Sequence, residues 1–404
     1  IVLRRKLESD LVEMWVGQDK TEEEQLFRES IRRFVIETIN PVTFDAKKDY
    51  KTTSRKLYRK AGERGILSLS IPQELGGQGG TAVLQGIARE EMGRGKVIGY
   101  GLPWPLSWTH VNFAEGCSGD LVKEWMPRFL NGEASLGLAS TEPKSGSDVA
   151  SIVANGVKKG DKYILNGEKG PMSSVSTTDA FIILARTGTN DAGARGVTAF
   201  FAEADRPGIE YYQLEAMEDS ADLGGFRMNN LELSLDHVVG EEGKGFYQQM
   251  KAFDIERAIM PMAYLGATMD SLELSLEYAK NREVWGRPIA TYEGVMFPLI
   301  EAVTKVESIR SFCYQVLRNY DERKRITKEA AMMRWYVTRV CLDALDACIQ
   351  ANGAQGYTDN VPHQRRYRWV RAGLFGHGTQ EIQKLVIARE ILGKEIYDQA
   401  LGRK

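Results

Sequence analysis

One of the four histidines of the chain, His377, stands between two glycines just before an amphipathic stretch that is typical of a helix. An imidazole titrates near neutral pH, so a histidine in such a place can act as a proton acceptor. The same pattern fits a residue that only caps the helix. It also fits a position from which a catalytic group has been lost.

The carboxylate of Glu256 lies among apolar residues in the stretch KAFDIERAIMP at residues 251–261. An idle carboxylate among isoleucine and alanine is unfavourable, because burying a charge without a partner is costly. A glutamate there is therefore a candidate base. The alternative is a surface residue that pairs with Lys251 or Arg257.

Three further stretches offer groups that bind ligands. The loop TEPKSGSD (141–148) presents hydroxyls and backbone N–H groups at a predicted strand end, although it also fits a surface turn with Ser145 or Ser147 as a cap. Arg282 follows a predicted long helix, where its guanidinium could pair with a diphosphate or answer the helix dipole. QANGAQG (350–356) is a glycine turn.

Composition excludes several classes of function. The chain has 404 residues with 53 basic and 55 acidic side chains, a balance that gives no reason to expect binding to nucleic acid. No apolar run is long enough to cross a membrane, and the start of the chain does not resemble a signal peptide. The histidines and cysteines lack the spacing of metal ligands. We expect free thiols and a cytoplasmic location, or the mitochondrial matrix if a precursor is processed. The cysteines are Cys117, Cys313, Cys341 and Cys348.

The elements that must position these residues change period along the chain. Helical spacing dominates the first third, beginning at a Thr21 cap, and β-branched runs broken by glycine predict antiparallel strands from about 135 to 240. Long helical patterns then return, with a possible kink at Pro261. We predict an α+β fold with an N-terminal helical domain (1–134), a middle antiparallel β domain (135–241) and a C-terminal four-helix bundle (242–404). Helices this apolar predict an oligomer.

This order of elements, with five motifs in sequence, resembles the acyl-CoA dehydrogenase family over nearly the whole chain from about Thr21. The motifs are IPQELGGQGG (71–80), LASTEPKSGSDVAS (138–151), KNREVWGRP (280–288), ANGAQGYTDNVPHQRRYR (351–368) and GTQEIQKLVIARE (378–390). The resemblance implies FAD, an acyl-CoA substrate, an electron-transfer flavoprotein as partner, and a homotetramer built as two dimers. Arg282 would then reach the FAD of a neighbouring subunit.

The resemblance also assigns individual residues. The FAD contacts it implies are Leu138, Ser140, Thr141, Ser173, Arg282, Trp285, Gln350, Gly353, Thr379 and Glu381. The substrate contacts it implies are Ser147, Asp254, Arg257, Gly376 and Gly378, with Asp254 and Arg257 near the CoA adenine. Where the family commonly has a Trp-Ile-Thr strand behind the flavin, this chain has residues 171–173, so the aromatic wall is absent.

The base departs from the common family pattern. The usual glutamate before the Gly-Thr pair is His377 here, whereas a minority of the family carries its base at the position of Glu256. We therefore expect Glu256 to be the base, while the His377 backbone N–H polarises the thioester carbonyl. Glu91, in the helix after the glycine turn, is a candidate for a second proton transfer.

Gly376 replaces a bulky aromatic residue, and the chain looks closest to enzymes that oxidise cyclohexanecarboxyl-CoA, so we expect a cyclic or branched acyl group. Two alternatives remain. One is a catalytically silent partner subunit of a heteromeric dehydrogenase, suggested by the missing glutamate. The other is a family scaffold with different flavin chemistry, such as an oxidase or a desulfinase. The neutral charge balance disfavours a DNA-binding relative.

Overall fold

A computed structural model describes residues 14–42, 50–96, 99, 102–217 and 222–400. Short π-helical segments continue the helix that ends at Phe34 and join the two helices on either side of 333–337. The helices are α1 (Glu22–Phe34), α2 (Tyr50–Glu63), α3 (Ala82–Gly93), α4 (Trp108–Gly116), α5 (Gly119–Leu130), α6 (Gly245–Asn281), α7 (Glu293–Asp321), α8 (Thr327–Met332), α9 (Thr338–Ala351), α10 (His363–Arg371), α11 (Gln380–Leu392) and α12 (Lys394–Ala400).

The strands occupy the middle of the chain, apart from a short hairpin after α6. They are β1 (Leu136–Ala139), β2 (Asn155–Lys159), β3 (Lys162–Ser173), β4 (Ala180–Arg186), β5 (Val197–Glu203), β6 (Ile209–Gln213), β7 (Leu223–Ser234), β8 (Val238–Val239), β9 (Glu283–Val284) and β10 (Arg287–Pro288). The main sheet has the order β6-β7-β3-β2-β4-β5-β8, and β1 pairs with β4. The β1–β4 pair is parallel, with Leu136 opposite Ala180, so the predicted sheet is antiparallel only in most of its pairs.

The chain divides into two compact units. One lies within residues 1–37, 82–98 and 257–404, and the other within 38–81 and 99–256. The division falls inside α6. We refer to them below as the helical unit and the sheet unit, and the three-domain boundaries at 134 and 241 stay a prediction.

Aromatic side chains build the core of the sheet unit. Phe181, Phe200 and Phe226 are fully buried on one face of the sheet, among aliphatic side chains of β3 and β7. Helix α4 packs on β5 through Phe113, whose ring centroid lies 4.8 Å from that of Phe201, and α5 packs there through Trp125, 5.3 Å from Phe201. This apolar layer holds the ends of β1 and β3 in place.

The helical unit contains α1, α3, most of α6 and all later helices. The Thr21 hydroxyl caps α1 by accepting the N–H of Glu24, as predicted. Helix α6 runs through Pro261 without a break, because the apolar packing around the proline holds the chain in a helix. No helix of the described residues is long and apolar enough to cross a membrane.

Candidate active site

The end of β1 delivers two hydroxyls to one edge of the sheet. The Gly170 N–H donates to the carbonyl oxygen of Thr141 at 2.9 Å, which fixes this strand end beside β3. The side chains of Leu138, Ser140 and Thr141 are half-buried. Neither hydroxyl hydrogen-bonds to a side chain or backbone group among the described residues, so both can receive a ligand.

Ser173 ends β3 three residues beyond Gly170 and is also half-buried. Its hydroxyl likewise lacks a partner within the described part of the chain. Half-buried hydroxyls in folded proteins normally find a partner. Ser140, Thr141 and Ser173 are therefore three half-buried hydroxyls near the paired ends of β1 and β3 that can hydrogen-bond to a ligand.

A buried ion pair anchors the loop that carries these groups. The carboxylate of Glu142 accepts the backbone N–H groups of Val153 and Ala154 at 2.7 and 3.0 Å, and the Lys169 ammonium at 2.7 Å. Burial lowers the pKa of Lys169 to about 8, against the opposing effect of Glu142. Neither residue was singled out from the sequence. The feature of the sequence that could have pointed to this ion pair is a lysine, Lys169, at a core position of β3.

The two candidate serines of the same loop separate in the structure. Ser145 is buried, and its hydroxyl donates to the backbone oxygen of Asp148, so Ser145 is the residue that stabilises the turn. Ser147 is exposed, with no partner among the described residues. Ser147 is thus the serine whose hydroxyl is not used within the loop, and its contact with the substrate stays a prediction.

Arg282 and Trp285 lie at the end of α6 and on the β9–β10 hairpin. Arg282 is exposed, and its guanidinium has no partner in the described ranges. The hairpin turn consists of Trp285 and Gly286, both with positive φ, and the indole is 88% exposed. A tryptophan this exposed is a frequent sign of a contact surface.

Gln350 and Gly353 are both exposed at the end of α9. Gly353 has φ +57°, and a Cβ added there would meet nothing within 4 Å. The glycine is therefore needed for the backbone turn rather than to avoid a collision. The turn leaves backbone groups open to a ligand.

The Gly376–Gly378 segment is held rigidly. Arg334 donates from Nε and Nη2 to the Gly376 carbonyl oxygen at 3.0 and 2.8 Å. The buried Gln383 amide donates to the carbonyl oxygens of His377 and Gly378 at 3.0 and 3.1 Å. These bonds keep His377 at φ +56°, a conformation that a non-glycine residue rarely adopts without surrounding support.

Thr379 and Glu381 begin α11. The Thr379 hydroxyl accepts the N–H of Ile382 at 3.3 Å and so caps the helix. Glu381 is exposed, and its own backbone N–H lowers the pKa of its carboxyl, with further help from the Thr379 hydroxyl. Their assignment to the FAD ribose and adenine remains a prediction.

The electrostatics of His377 disfavour a role as base. Burial lowers the pKa of its imidazole to about 3, and the charges of Arg334, Arg257 and Arg89 lower it further in the same direction. The ring is therefore neutral at pH 7, but it binds a proton too weakly to remove one from carbon. The rigid backbone remains able to donate an N–H.

Glu256 has the surroundings expected of a positioned carboxylate. It is 9% exposed, which excludes the surface alternative. Its Oε1 accepts the backbone N–H of Trp108, the first residue of α4, at 3.0 Å within the sheet unit. This bond fixes the orientation of the carboxylate.

Glu91 is buried in an ion-pair network instead of facing an open cavity. Arg28 and Arg32 contact its carboxylate oxygens at 2.7 and 3.0 Å. Burial alone would raise the pKa of Glu91, but the two arginines lower it below the ordinary value. A carboxylate held in this way is a weak base, so these contacts favour a structural role over the second proton transfer predicted from the sequence.

Asp254 and Arg257 differ in their burial. Asp254 is half-buried in the first part of α6, whereas Arg257 is buried and belongs to the helical unit. The charge of Arg257 reaches His377. The assignment of Asp254 and Arg257 to the adenine end of CoA stays a prediction.

The fold and these sites define a flavin-dependent oxidoreductase with a helix–sheet–helix order. Family models for the N-terminal, middle and C-terminal domains of acyl-CoA dehydrogenases match residues 21–133, 137–233 and 243–392. The chain belongs to the acyl-CoA dehydrogenase family, whose members are oxidoreductases that bind FAD. The resemblance noted from the five motifs is thereby confirmed.

Among its relatives is the mitochondrial isovaleryl-CoA dehydrogenase of Oryza sativa subsp. japonica, 30% identical over 93% of this chain and 92% of that protein. The caffeyl-CoA reductase–Etf complex subunit CarC of Acetobacterium woodii is 26% identical over 93% and 99%. A crystal structure of acyl-CoA dehydrogenase from Geobacillus kaustophilus superposes with a TM-score of 0.84, at 27% identity, over 93% and 100% of the two chains.

Proposed function

We propose that this chain oxidises an acyl-CoA at the Cα–Cβ bond with Glu256 as the base. The observation that carries the proposal is the contrast between the two candidate bases. Glu256 is a buried carboxylate oriented by a backbone N–H, while His377 has a pKa of about 3. Glu256 would take the proton from Cα, and bound FAD supplies the acceptor for the hydride from Cβ.

The remaining residues hold and orient the reactants. Ser140, Thr141 and Ser173 offer their free hydroxyls to the flavin rim, and the Glu142–Lys169 pair keeps the loop in place. The fixed 376–378 turn presents the His377 backbone N–H to the thioester carbonyl, which acidifies Cα by stabilising negative charge on oxygen. Ser147 is available to the CoA arm.

The decisive experiment compares Glu256→Gln with His377→Asn. Glutamine keeps an oxygen that can accept the Trp108 N–H, so FAD and acyl-CoA binding should survive. Flavin reduction should fall by about 10²–10⁴-fold, the usual effect of losing a general base. Asparagine tolerates the positive φ of residue 377 and keeps its backbone N–H, so His377→Asn should lose far less. Stopped-flow absorbance at the flavin band measures both rates.

If flavin reduction fell far more in His377→Asn than in Glu256→Gln, the histidine would be the base. If the parent protein bound CoA esters without any flavin reduction, a catalytically silent subunit would become the better description. FAD absorbance after purification and reconstitution serves as the control, since a folded variant without FAD says nothing about the base.

We also propose a homotetramer of two dimers that passes electrons to an electron-transfer flavoprotein. Support for the assembly comes from the exposed Arg282 and Trp285, which suit a contact with FAD held by a second copy. Support for the partner comes from the Etf-complex relative. Light scattering should give the tetramer mass, and Arg282→Gln should weaken FAD retention. A monomer with full activity would exclude this assembly.

A further inference from the structure

The hydrogen bonds of Arg334 end on the peptide group that contains the proposed donor to the thioester. Arg334 lies in the π-helical segment 333–337, with 1% of its surface exposed. Its Nε and Nη2 both donate to the carbonyl oxygen of Gly376, at 3.0 and 2.8 Å. That oxygen and the N–H of His377 are the two ends of one planar peptide group, in which electrons are shared by resonance. A positive charge at the oxygen therefore acts directly on the N–H.

Arg334 has no counterion that would cancel this effect. No carboxylate of the described residues forms an ion pair with it, and its Nη1 is buried without an acceptor. Arg310 of the same unit, by contrast, meets Glu90 at 2.9 Å. In a buried environment of low dielectric, a guanidinium that is not paired with an anion polarises its neutral acceptor strongly.

The surroundings of Arg334 favour this contact. A Cβ added to Gly376 would lie 3.1 Å from Arg334 Nη2, so the absence of a side chain at Gly376 leaves the space in which the guanidinium approaches the oxygen. The guanidinium carbon also lies 5.7 Å from the ring centroid of the buried Tyr264, within the range of a cation–π contact. The glycine and the tyrosine together hold the charge beside the peptide oxygen.

Gln383 restrains the same turn in a different way. Its amide donates to the carbonyl oxygens of His377 and Gly378 at 3.0 and 3.1 Å, and these oxygens belong to the next two peptide groups of the turn. The amide is neutral, and its bonds do not reach the peptide group that contains the His377 N–H. Gln383 therefore fixes the turn, whereas Arg334 both fixes the turn and polarises the donor.

We propose that Arg334 is a positioning residue that strengthens the His377 N–H as a hydrogen-bond donor to the thioester carbonyl of the substrate. The inference rests on the proposed function, in which this N–H is presented to the thioester. Negative charge on the thioester oxygen grows as the Cα proton leaves, so a stronger donor stabilises the transition state more than the ground state. A complete donor of this kind contributes about 10²–10³-fold in rate. Polarisation of one donor should contribute about three- to tenfold.

The first test measures polarisation of the carbonyl without turnover. Glu256→Gln protein loaded with FAD receives butyryl-, isovaleryl- or cyclohexanecarboxyl-CoA, whichever binds most tightly, with an isotopic label at the thioester carbonyl. Difference infrared spectra give the stretching frequency of the bound carbonyl. We expect binding to lower this frequency, and the lowering should decrease from Arg334 to Arg334→Lys to Arg334→Gln. Gln383→Leu should preserve most of the lowering, because the polarised peptide group is unchanged.

The second test uses a matched ligand that lacks the carbonyl oxygen. The S-alkyl thioether of CoA with the same chain keeps the packing contacts but cannot accept the His377 N–H. Arg334→Gln should weaken binding of the thioester more than binding of the thioether, and with Glu256 intact it should slow flavin reduction by about three- to tenfold. Arg339→Gln, a change at an exposed arginine that pairs with Asp343, is the control and should alter neither quantity.

The outcomes separate this inference from the proposed reaction. If the parent reduces no flavin but the carbonyl frequency still depends on Arg334, the proposed reaction fails and the role of Arg334 stands. If flavin is reduced while Arg334→Gln weakens both ligands equally and leaves the frequency unchanged, Arg334 only supports the fold and the inference is overturned. Should Arg334→Gln fail to fold, Arg334→Lys decides, because one ammonium replaces a bidentate fork and an unchanged frequency there would equally overturn the inference.

Discussion

The helical unit contains two groups of buried arginines that differ in their counterions. In the first, Arg28 and Arg310 meet the fully buried Glu90 at 2.7 and 2.9 Å, and Arg28 also contacts Glu91. In the second, Arg334 meets a backbone carbonyl beside a neutral histidine. Arg310 and Arg334 are both almost completely buried, but Arg310 meets a carboxylate and Arg334 a neutral peptide oxygen. The first contact therefore balances two buried charges, whereas the second is a hydrogen bond to an uncharged acceptor.

The pKa values show the same contrast. Burial would raise the pKa of Glu90, yet Arg310 and Arg28 lower it to about 2, so its charge is kept at every physiological pH. In the second group, burial and the arginines act together to keep His377 uncharged.

The largest effect on stability should come from breaking the balanced group. Arg310→Met would leave Glu90 buried with one cation fewer, and we expect a loss of roughly 3–5 kcal/mol in the free energy of unfolding. Arg334→Met should lose only about 1–2 kcal/mol, because it removes hydrogen bonds to one carbonyl and strands no carboxylate. Calorimetric unfolding midpoints in one buffer rank the two variants.

Arg339→Met at an exposed pair is the control, and it should stay within about 0.5 kcal/mol of the parent. Equal losses in Arg310→Met and Arg334→Met would mean that Arg334 has a counterion after all.

The elements were largely predictable from the sequence, since they depend on local patterns. The Thr21 cap and the span of strands from 136 to 239 follow from periodicity and turn residues. Glu256 could be singled out because it is a carboxylate flanked by Ile255, Ala258 and Ile259 in a helix. The bond that orients it was not, since Trp108 is 148 residues away in the chain.

Glu91 and Arg334 show where sequence reasoning ended. Both are charged residues in helices, and nothing local distinguishes a paired carboxylate from a base. Only the fold shows that Arg28 and Arg32 occupy the oxygens of Glu91, or that Arg334 reaches Gly376, 42 residues later. From the sequence, Gly376 was interpreted as leaving room for a larger acyl group. The sequence does not show that the Arg334 guanidinium lies in this space, because Arg334 belongs to another element.

The smaller effect concerns the pH dependence of stability, which should distinguish the two groups. The pKa of His377 is about 3 in the folded state, and its ordinary value is 6.5. Between these two pH values the histidine is protonated in the unfolded chain but not in the folded protein. Stability therefore rises with pH between about 3 and 6.5 and is lost as pH falls through that window. Glu90 acts only lower, between its ordinary value of 4.5 and about 2. Acidification from pH 7 to 5 therefore tests His377 and not Glu90. The buried His110 and His363, whose pKa values are both about 4, contribute in the same window, so His377 is isolated by comparing the parent with a variant.

On acidification from pH 7 to 5, the His377→Asn variant should consequently lose about 1–2 kcal/mol less free energy of unfolding than the parent. This figure follows from about 1.36 kcal/mol for each pKa unit, discounted for partial exposure. Unfolding free energies of parent and variant at a series of pH values measure the slope. An unchanged slope in the variant would show that folding does not lower the pKa of His377, and the argument for Glu256 as the base would lose its electrostatic support.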